Sequence, residues 1–410
     1  MCKLTVVIPI YNVEQYIEKC LESVCEQYID GIQVVCIDDC STDNSYMVIS
    51  SLLEKYPFLE IYQNETNLGL AATRNLGLKK SKGKYIMFVD SDDYVANNAI
   101  NILVNRFEQE TVDVLFYSTQ MFWDVGFVNE ANLDRRIRKQ EYSLNTGIGL
   151  MCDFIRNDEM FGAAWGAIYR KEYLLDNNIK FIEGILHEDI PFVFNVLLNA
   201  TKADCINEII YFYRQRNNSI LNSPDYNKLI EGLVIGYMNM INCYYEYSIK
   251  NNYDTLLDNE VKKYLDTQLF LIEDRYEKLI VTGKVISNSA IDYLVGKLHN
   301  AKDLDTCFDD DDISFIKNSE RLVLYGAGCI ATRIMKILKT KKIQVDKIYV
   351  TSKENNPEEF FGIKVYEFNP KMVIDNDEAL IVGISIDNSA ELIEGIKASG
   401  ISKFIRTIAR

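Results

Sequence analysis

The chain has 410 residues, of which 48% are hydrophobic, with 60 acidic against 44 basic side chains and a formal net charge of −16. That length allows two or three domains of about 100–200 residues each. The apolar content supplies a sizeable core and excludes wholesale disorder, and the acidic balance argues against a general nucleic-acid binder, which needs a basic face. Ten cysteines occur without a Cys-x-x-Cys pair, and only two histidines are present to complete a zinc site. The thiols therefore read as reduced, mostly buried small hydrophobes of a cytoplasmic protein. Met1-Cys2-Lys3 leads directly into the first strand, so no signal peptide is expected. No apolar run reaches the roughly 18–20 residues of a membrane span, so any membrane contact is expected to be peripheral.

Leu4-Thr5-Val6-Val7-Ile8-Pro9 is a β-branched run closed by Pro9, hence a first buried strand, with Tyr11-Asn12 at its carboxyl end. Tyr16, Ile17, Cys20, Leu21 and Val24 recur at helical spacing and predict an amphipathic helix. Val34-Val35-Cys36-Ile37 is a second strand, and it runs into Asp38-Asp39. Ser41 to Asn44 supply capping residues for a helix to about Lys55. Leu59 to Tyr62 is a short third strand, Asn67-Leu68-Gly69 a turn, and Leu70 to Lys80 a helix with Arg74 and Asn75 near its start.

A fourth strand, Tyr85 to Val89, ends abruptly in Asp90, Asp92 and Asp93. An apolar run flanked by turn signals reads as a buried strand of a parallel sheet. Ligands of open α/β sheets bind just beyond the carboxyl ends of such strands. Three carboxylates there repel one another unless a cation joins them. Mg²⁺ typically takes one or two carboxylates and completes its shell with substrate phosphates. The strand–helix alternation predicts right-handed crossovers, so two strands deliver acids to one sheet edge.

Further on, Ala99 to Glu110 reads as a helix and Val112 to Ser118 as a strand. Residues 120–150 read as irregular, with a basic cluster at Arg135, Arg136, Arg138 and Lys139. Leu186-His187-Glu188-Asp189 precedes a helix from Ile190 to Leu198, with Pro191 in its first turn. Ile209 to Tyr213 is a strand, and 225–315 is helical. Leu322 to Tyr325 then opens Gly326-x-Gly328-x-x-Ala331, the context of a dinucleotide loop, followed by a helix and strands at Lys347–Val350 and Ala379–Val382. The strand Lys347–Val350 runs on into Thr351-Ser352-Lys353 and carries no acid placed for a ribose.

Val6-Val7-Ile8-Pro9-Ile10-Tyr11-Asn12, Asp38-Asp39-Cys40-Ser41-Thr42-Asp43, Asn67-Leu68-Gly69 with Ala72-Thr73-Arg74-Asn75, Asp90-Ser91-Asp92-Asp93 and His187-Glu188-Asp189 occur in that order. Together they resemble the signature of the inverting family 2 glycosyltransferases of GT-A fold. The resemblance covers about residues 3–220. It implies a nucleotide-sugar-binding α/β domain with a mostly parallel sheet over 1–222. The residue pattern beyond it gives a helical connector or bundle over 223–317 and a small Rossmann-like α/β domain over 318–410, which resembles modules appended to polysaccharide-biosynthesis proteins.

The resemblance implies a UDP-sugar donor, a Mn²⁺ or Mg²⁺ cofactor, and transfer of a hexosyl or N-acetylhexosaminyl group to a glycan or lipid-linked acceptor in surface polysaccharide assembly. It assigns Pro9, Tyr11, Asp38, Asp39, Arg74, Asp90 and Ser91 to the donor. Tyr11 stacks on the base, Asp39 accepts from the uracil N3–H, Arg74 lies near the diphosphate and Asp90 meets the ribose. Asp92 is the metal ligand and Asp189 the catalytic base, with Trp165, His187 and Glu188 as acceptor-side candidates. Cys40 stands where the family usually has glycine. A cytoplasmic enzyme peripheral to the inner face of the plasma membrane, oligomeric through its last domain, is one expectation. A catalytically inactive nucleotide-sugar-binding scaffold is the other.

Overall fold

The computed structural model describes residues 2–123, 136–215, 225–250, 255–281, 310–319, 321–326, 342–350, 358–367, 378–382 and 404–406, together with Ala331, Ile334, Met335 and Leu338. The chain divides into two units, Met1–Leu265 with Leu279–Ser287, and Asp266–Lys278 with Asn288–Arg410.

Among the described residues, the first unit is built on one sheet of nine strands. β1 (Leu4–Ile10), β2 (Ile32–Asp38), β3 (Leu59–Gln63) and β4 (Tyr85–Phe88) run parallel in the order β3-β2-β1-β4. The first two are buried at every position. Continuous β-branched runs are what a strand covered on both faces requires. The helices α1 (Ile17–Cys25), α2 (Ser45–Ser51) and α3 (Leu70–Lys80) follow the first three strands in turn. Ile10 is level with Asp38, and Val7 with Phe88. The chain therefore leaves β1, β2 and β4 at one common edge. Gly83 lets the strands close up: a Cβ there would lie 2.5 Å from the Thr5 nitrogen.

Beyond β4 the sheet becomes mixed. β5 (Tyr94–Val95) leads into α4 (Ala99–Gln109). β6 (Val114–Trp123), β7 (Tyr142–Asn145), β8 (Ala167–Arg170) and β9 (Ala203–Gln215) complete the sheet. β8 is antiparallel to both β4 and β6, and β9 runs parallel to β6 while pairing antiparallel with β5 and β7. The sequence reading has 120–150 irregular, whereas β7 and α5 (Gly147–Arg156) lie there. Arg138, expected in a basic cluster, is buried, with its guanidinium 3.9 Å from the Phe154 ring centroid and donating to the Glu159 carbonyl at 2.6 Å. Arg135 lies outside the described residues.

α6 (Lys171–Asp176) and α7 (Asp189–Asn199) precede β9, and α8 (Tyr226–Lys250) and α9 (Thr255–Val281) follow it. α8 packs closely on α7 and on the loop before it. A Cβ at Gly232 would lie 2.5 Å from the Leu186 carbonyl oxygen, and one at Gly236 would lie 3.4 Å from the Pro191 ring. Asn195 donates to Asn239 at 2.9 Å. No helix among the described residues is long and apolar enough to cross a membrane.

In the second unit, after α10 (Asp310–Lys317), the strands are β10 (Arg321–Tyr325), β11 (Lys347–Val350), β12 (Glu359–Phe360), β13 (Ile363–Glu367), β14 (Glu378–Val382) and β15 (Phe404–Arg406). They pair in the order β12-β13-β11-β10-β14-β15, parallel throughout except for the β12–β13 hairpin. Leu322, Leu324, Ile348, Val350, Val365 and Ile381 pack with Ala331, Ile334, Met335 and Leu338, spaced as one helix face. Gly326 adopts φ 119°. The rest of the expected glycine loop, through Gly328, lies outside the described residues.

Candidate active site

The carboxyl edge of β1, β2 and β4 gathers the sequence-derived candidates, and each loop there bends sharply. Asn12 has φ 52°, Cys40 φ 59° and His187 φ 62°. Side chains with a Cβ seldom adopt this region, and where they do, surrounding contacts enforce it. Asn12 is enforced by its own amide oxygen, which accepts from the backbone N–H of Thr42 at 2.8 Å and of Asp43 at 3.3 Å. The left-handed Cys40 explains why glycine is usual at that position.

Tyr11 projects from the end of β1 with 44% of its surface exposed. A ring half open to solvent beside a strand end is placed to stack on a flat ligand. Pro9 lies within β1, paired with Ile37. Asp38 and Asp39 are both buried. Asp38 Oδ2 accepts from the Ser41 N–H at 3.2 Å and from Gln63 Nε2 at 3.0 Å, while Oδ1 is buried without a hydrogen-bond partner. Asp39 organises the next loop. Its Oδ1 accepts from Asn64 Nδ2 at 2.8 Å and from the Leu68 N–H at 2.9 Å, and its Oδ2 from the Gly69 N–H at 2.8 Å. Gly69 has φ 88° and caps α3. An ionised carboxyl offers about four lone-pair sites, so Asp39 Oδ2 retains capacity for one further donor.

Arg74 is carried inward by α3 and is fully buried. Its guanidinium holds three carboxylates. Nη2 donates to Asp90 Oδ1 at 2.7 Å, and Nη1 donates to Glu188 Oε1 at 2.8 Å and also to Asp189 Oδ1. The Phe181 ring centroid lies 5.4 Å from the guanidinium carbon. The expectation placed Arg74 near a diphosphate, and the structure places it between the acidic turn and the Glu188–Asp189 pair. Only a planar fork can serve partners in three directions at once.

Three carboxylates share one positive charge here, so the cluster cannot hold all of them at ordinary carboxyl pKa values. Burial raises the Asp189 pKa to about 7. Arg74 opposes the shift, and Glu188 and Asp90 add to it. Glu188 is also raised, mainly by burial and against Arg74. A carboxyl that titrates near neutrality can take a proton at working pH.

The acidic turn divides its labour. Asp90 reaches Arg74, while Ser91 is buried. Asp93 is buried and faces inward, where Tyr211 Oη donates to its Oδ2 at 2.7 Å and the Arg214 N–H to its Oδ1 at 2.7 Å. Burial first, then Asp92 and Asp90, push its pKa well up. Tyr211 Oη also accepts from the Asp90 N–H at 3.0 Å. Arg214 Nε donates to the Asp92 carbonyl at 2.7 Å. The end of β9 thus clasps the turn from beneath, a role that sequence reasoning missed for Tyr211. A tyrosine in a half-buried strand carries no local sign that its hydroxyl meets a turn more than a hundred residues earlier.

Among the described residues no three His, Cys, Asp or Glu side chains converge into a full cation shell. Asp90 bonds Arg74 and Asp93 bonds β9. Asp92, the metal ligand expected from the sequence, is half-buried in the same turn, and its carboxylate is the kind of ligand a hard cation shares with phosphate oxygens.

Trp165, an acceptor-side candidate, is core. It is 5% exposed, and its ring stacks 4.9 Å from Tyr211 and 5.0 Å from Tyr213. Glu188 is likewise buried, and His187 forms the left-handed corner before it. A groove of about 620 Å³, lined by Lys3, Gln33, Glu60 and Lys82 among others, opens at the opposite, amino-terminal end of the strands and belongs to none of this chemistry.

The family described as "Glycosyl transferase family 2" matches residues 5–175. An Escherichia coli K12 protein named uncharacterized glycosyltransferase YibD is 30% identical over 223 residues, 53% of this chain and 63% of that protein. A Bacillus spizizenii poly(ribitol-phosphate) beta-glucosyltransferase is 28% identical over 52% of this chain and 32% of its own length. The match thus spans less than two thirds of each relative. Among solved structures, Staphylococcus aureus TarS 1–349 in complex with UDP-GlcNAc is 25% identical with a TM-score of 0.51, over 67% of this chain and 72% of that one.

Proposed function

Because its N-terminal part belongs to glycosyl transferase family 2, we propose that this chain is an inverting glycosyltransferase that moves a sugar from a UDP-sugar to a glycan or lipid-linked acceptor in surface polysaccharide assembly. The observation that carries the reading is the single buried guanidinium joining Asp90, at the donor edge, to Asp189, whose carboxyl titrates near neutrality. The uridine assignment is supported by the exposed Tyr11 ring and by the acceptor capacity left on Asp39, and TarS is solved with UDP-GlcNAc. The names of the Bacillus spizizenii relative and of GgaB, a Bacillus subtilis minor teichoic acid biosynthesis protein, support a surface-polymer acceptor.

In this reading the acceptor hydroxyl oxygen attacks the anomeric carbon from the face opposite the leaving group. Asp189 takes the hydroxyl proton, and the bond from the anomeric carbon to the diphosphate oxygen breaks, with inversion. Asp92 would hold Mn²⁺ or Mg²⁺ against the diphosphate, where the cation supplies charge stabilisation to the leaving group. Pro9, Asp38 and Ser91 shape the donor edge, while Asp90 meets the ribose. The sheet of the second unit fits a Rossmann-like module used for assembly, and the enzyme would work in the cytoplasm, at the inner face of the plasma membrane.

The test is a panel of nucleotide sugars with Mg²⁺ or Mn²⁺, read as slow donor hydrolysis and as transfer. A uridine donor should be preferred. Asp92→Asn should remove the metal dependence along with turnover. Asp189→Asn should lower kcat by roughly 10²–10⁴-fold, the usual worth of a general base, with donor binding kept. Donor binding without turnover in the unaltered protein would support the inactive-scaffold alternative, and preference for a non-uridine donor would overturn the Asp39 assignment.

A further inference from the structure

The fork of Arg74 lies fully buried between two parts of the cleft that the proposed reaction must align: Asp90 at the donor edge and Asp189 at the acceptor side. Its three carboxylate partners come from two separate places in the chain, the turn after β4 and the start of α7, while Arg74 itself sits on α3. We infer that Arg74 is a positioning residue that aims the base: it fixes the Asp189 carboxylate against the donor-side Asp90, and it acts through Asp189 and not on the donor diphosphate.

This inference rests on the glycosyltransferase reading. Three features support it. The Nη2 and Nη1 groups are each used on carboxylates, at 2.7 Å to Asp90 and 2.8 Å to Glu188. The Phe181 ring lies beside the guanidinium at 5.4 Å and restricts its swing. A lysine ammonium is a compact point charge, so it cannot reach Asp90 and the Glu188–Asp189 pair with a rigid planar group. The groups that face Asp189 are Arg74 from α3, Asp90 from the acidic turn, Glu188 on its own element and Tyr169 from β8. Arg74 is the one cation among them, so it is the group that keeps the base both oriented and ionisable near neutral pH.

The experiment is a double-substitution cycle in the full-length chain, read as kcat and donor KM for transfer. Arg74→Lys should lower kcat by about tenfold to a hundredfold while donor KM stays within about threefold. In an Asp189→Asn background, the same lysine substitution should change kcat less than about threefold, because the group it acts through is gone. A rise in donor KM with kcat kept would overturn the proposal and return Arg74 to the diphosphate, as would an equal loss of kcat in both backgrounds. Glu188→Gln supplies a measurement that does not depend on an Arg74 variant folding. It leaves Arg74 to Asp189 and Asp90, so the acid limb of kcat should move to lower pH, and an unmoved limb would overturn the proposal. A wild-type chain that transfers no sugar from any donor would instead refute the glycosyltransferase reading itself.

Discussion

At the scale of single residues, the proposed chemistry depends on how burial and one guanidinium settle the charge of Asp189. A carboxyl group with an ordinary pKa would be ionised throughout the useful pH range. Burial raises Asp189 to about 7, against the pull of Arg74. If Asp189 is the base, as proposed, it must be ionised to accept a proton, so kcat/KM should fall about tenfold per pH unit below 7 and level off above it. A profile flat from pH 5 to 8 would mean that another group takes the proton. The acids themselves are legible in the sequence, since Asp38-Asp39 and Asp90-Ser91-Asp92-Asp93 stop two apolar strands. Their division of labour is not. Asp93 lies next to Asp92 in sequence, yet it turns inward to Tyr211. Arg74 reads from the sequence as a residue near the diphosphate, and its partners at the start of α7 lie more than a hundred residues further along the chain.

At the scale of elements, Asp189, the proposed base, is the first residue of α7, so its position depends on what holds that helix end. α8 holds it by backbone-to-backbone approach at Gly232, where a Cβ would lie 2.5 Å from the Leu186 carbonyl oxygen and 2.7 Å from the Leu186 nitrogen. Backbone cannot swing aside as a flexible side chain does. Gly232→Ala should therefore cost about 1–3 kcal/mol, the usual range for overpacking. It should also displace the His187–Asp189 loop and lower kcat well beyond what the lost stability explains. Thermal unfolding and initial rates, measured on the same preparation, check this. Unchanged kcat would mean that α8 is not what seats the base. The alternation of strands and helices through Tyr85 is readable because each run has one period and one set of turn signals. The mixed half is harder to read: β9 pairs with three strands, and its partners are fixed by the sheet and not by its own residues. α5 is unreadable as a helix, although Thr146 caps it by accepting from the Gly149 N–H at 3.2 Å.

At the scale of the whole molecule, motif order suggests a first domain that ends near residue 222, whereas packing carries the first unit on to Leu265. The reason lies in α8 and the start of α9. Leu229, Ile230, Val234, Tyr237, Met240, Val261 and Tyr264 are all buried. Phe194 of α7 stacks with Tyr264 at 6.2 Å, and Arg156 of α5 lies 3.7 Å from Glu260. Burying one such apolar side chain is worth about 1.5–3 kcal/mol. A chain cut after residue 222 gives up all of these contacts and bares the apolar side of α7 beneath the base. A chain cut after residue 265 keeps them. The longer fragment should fold cooperatively and retain slow hydrolysis of its donor. The shorter one should unfold at least ~10 °C lower, or fail to stay in solution, since a loss of several kcal/mol moves Tm by about 2–4 °C per kcal/mol in a unit of this size. Equal thermal stability of the two fragments would show that the helices after β9 are dispensable, and the catalytic unit would then end with the motifs.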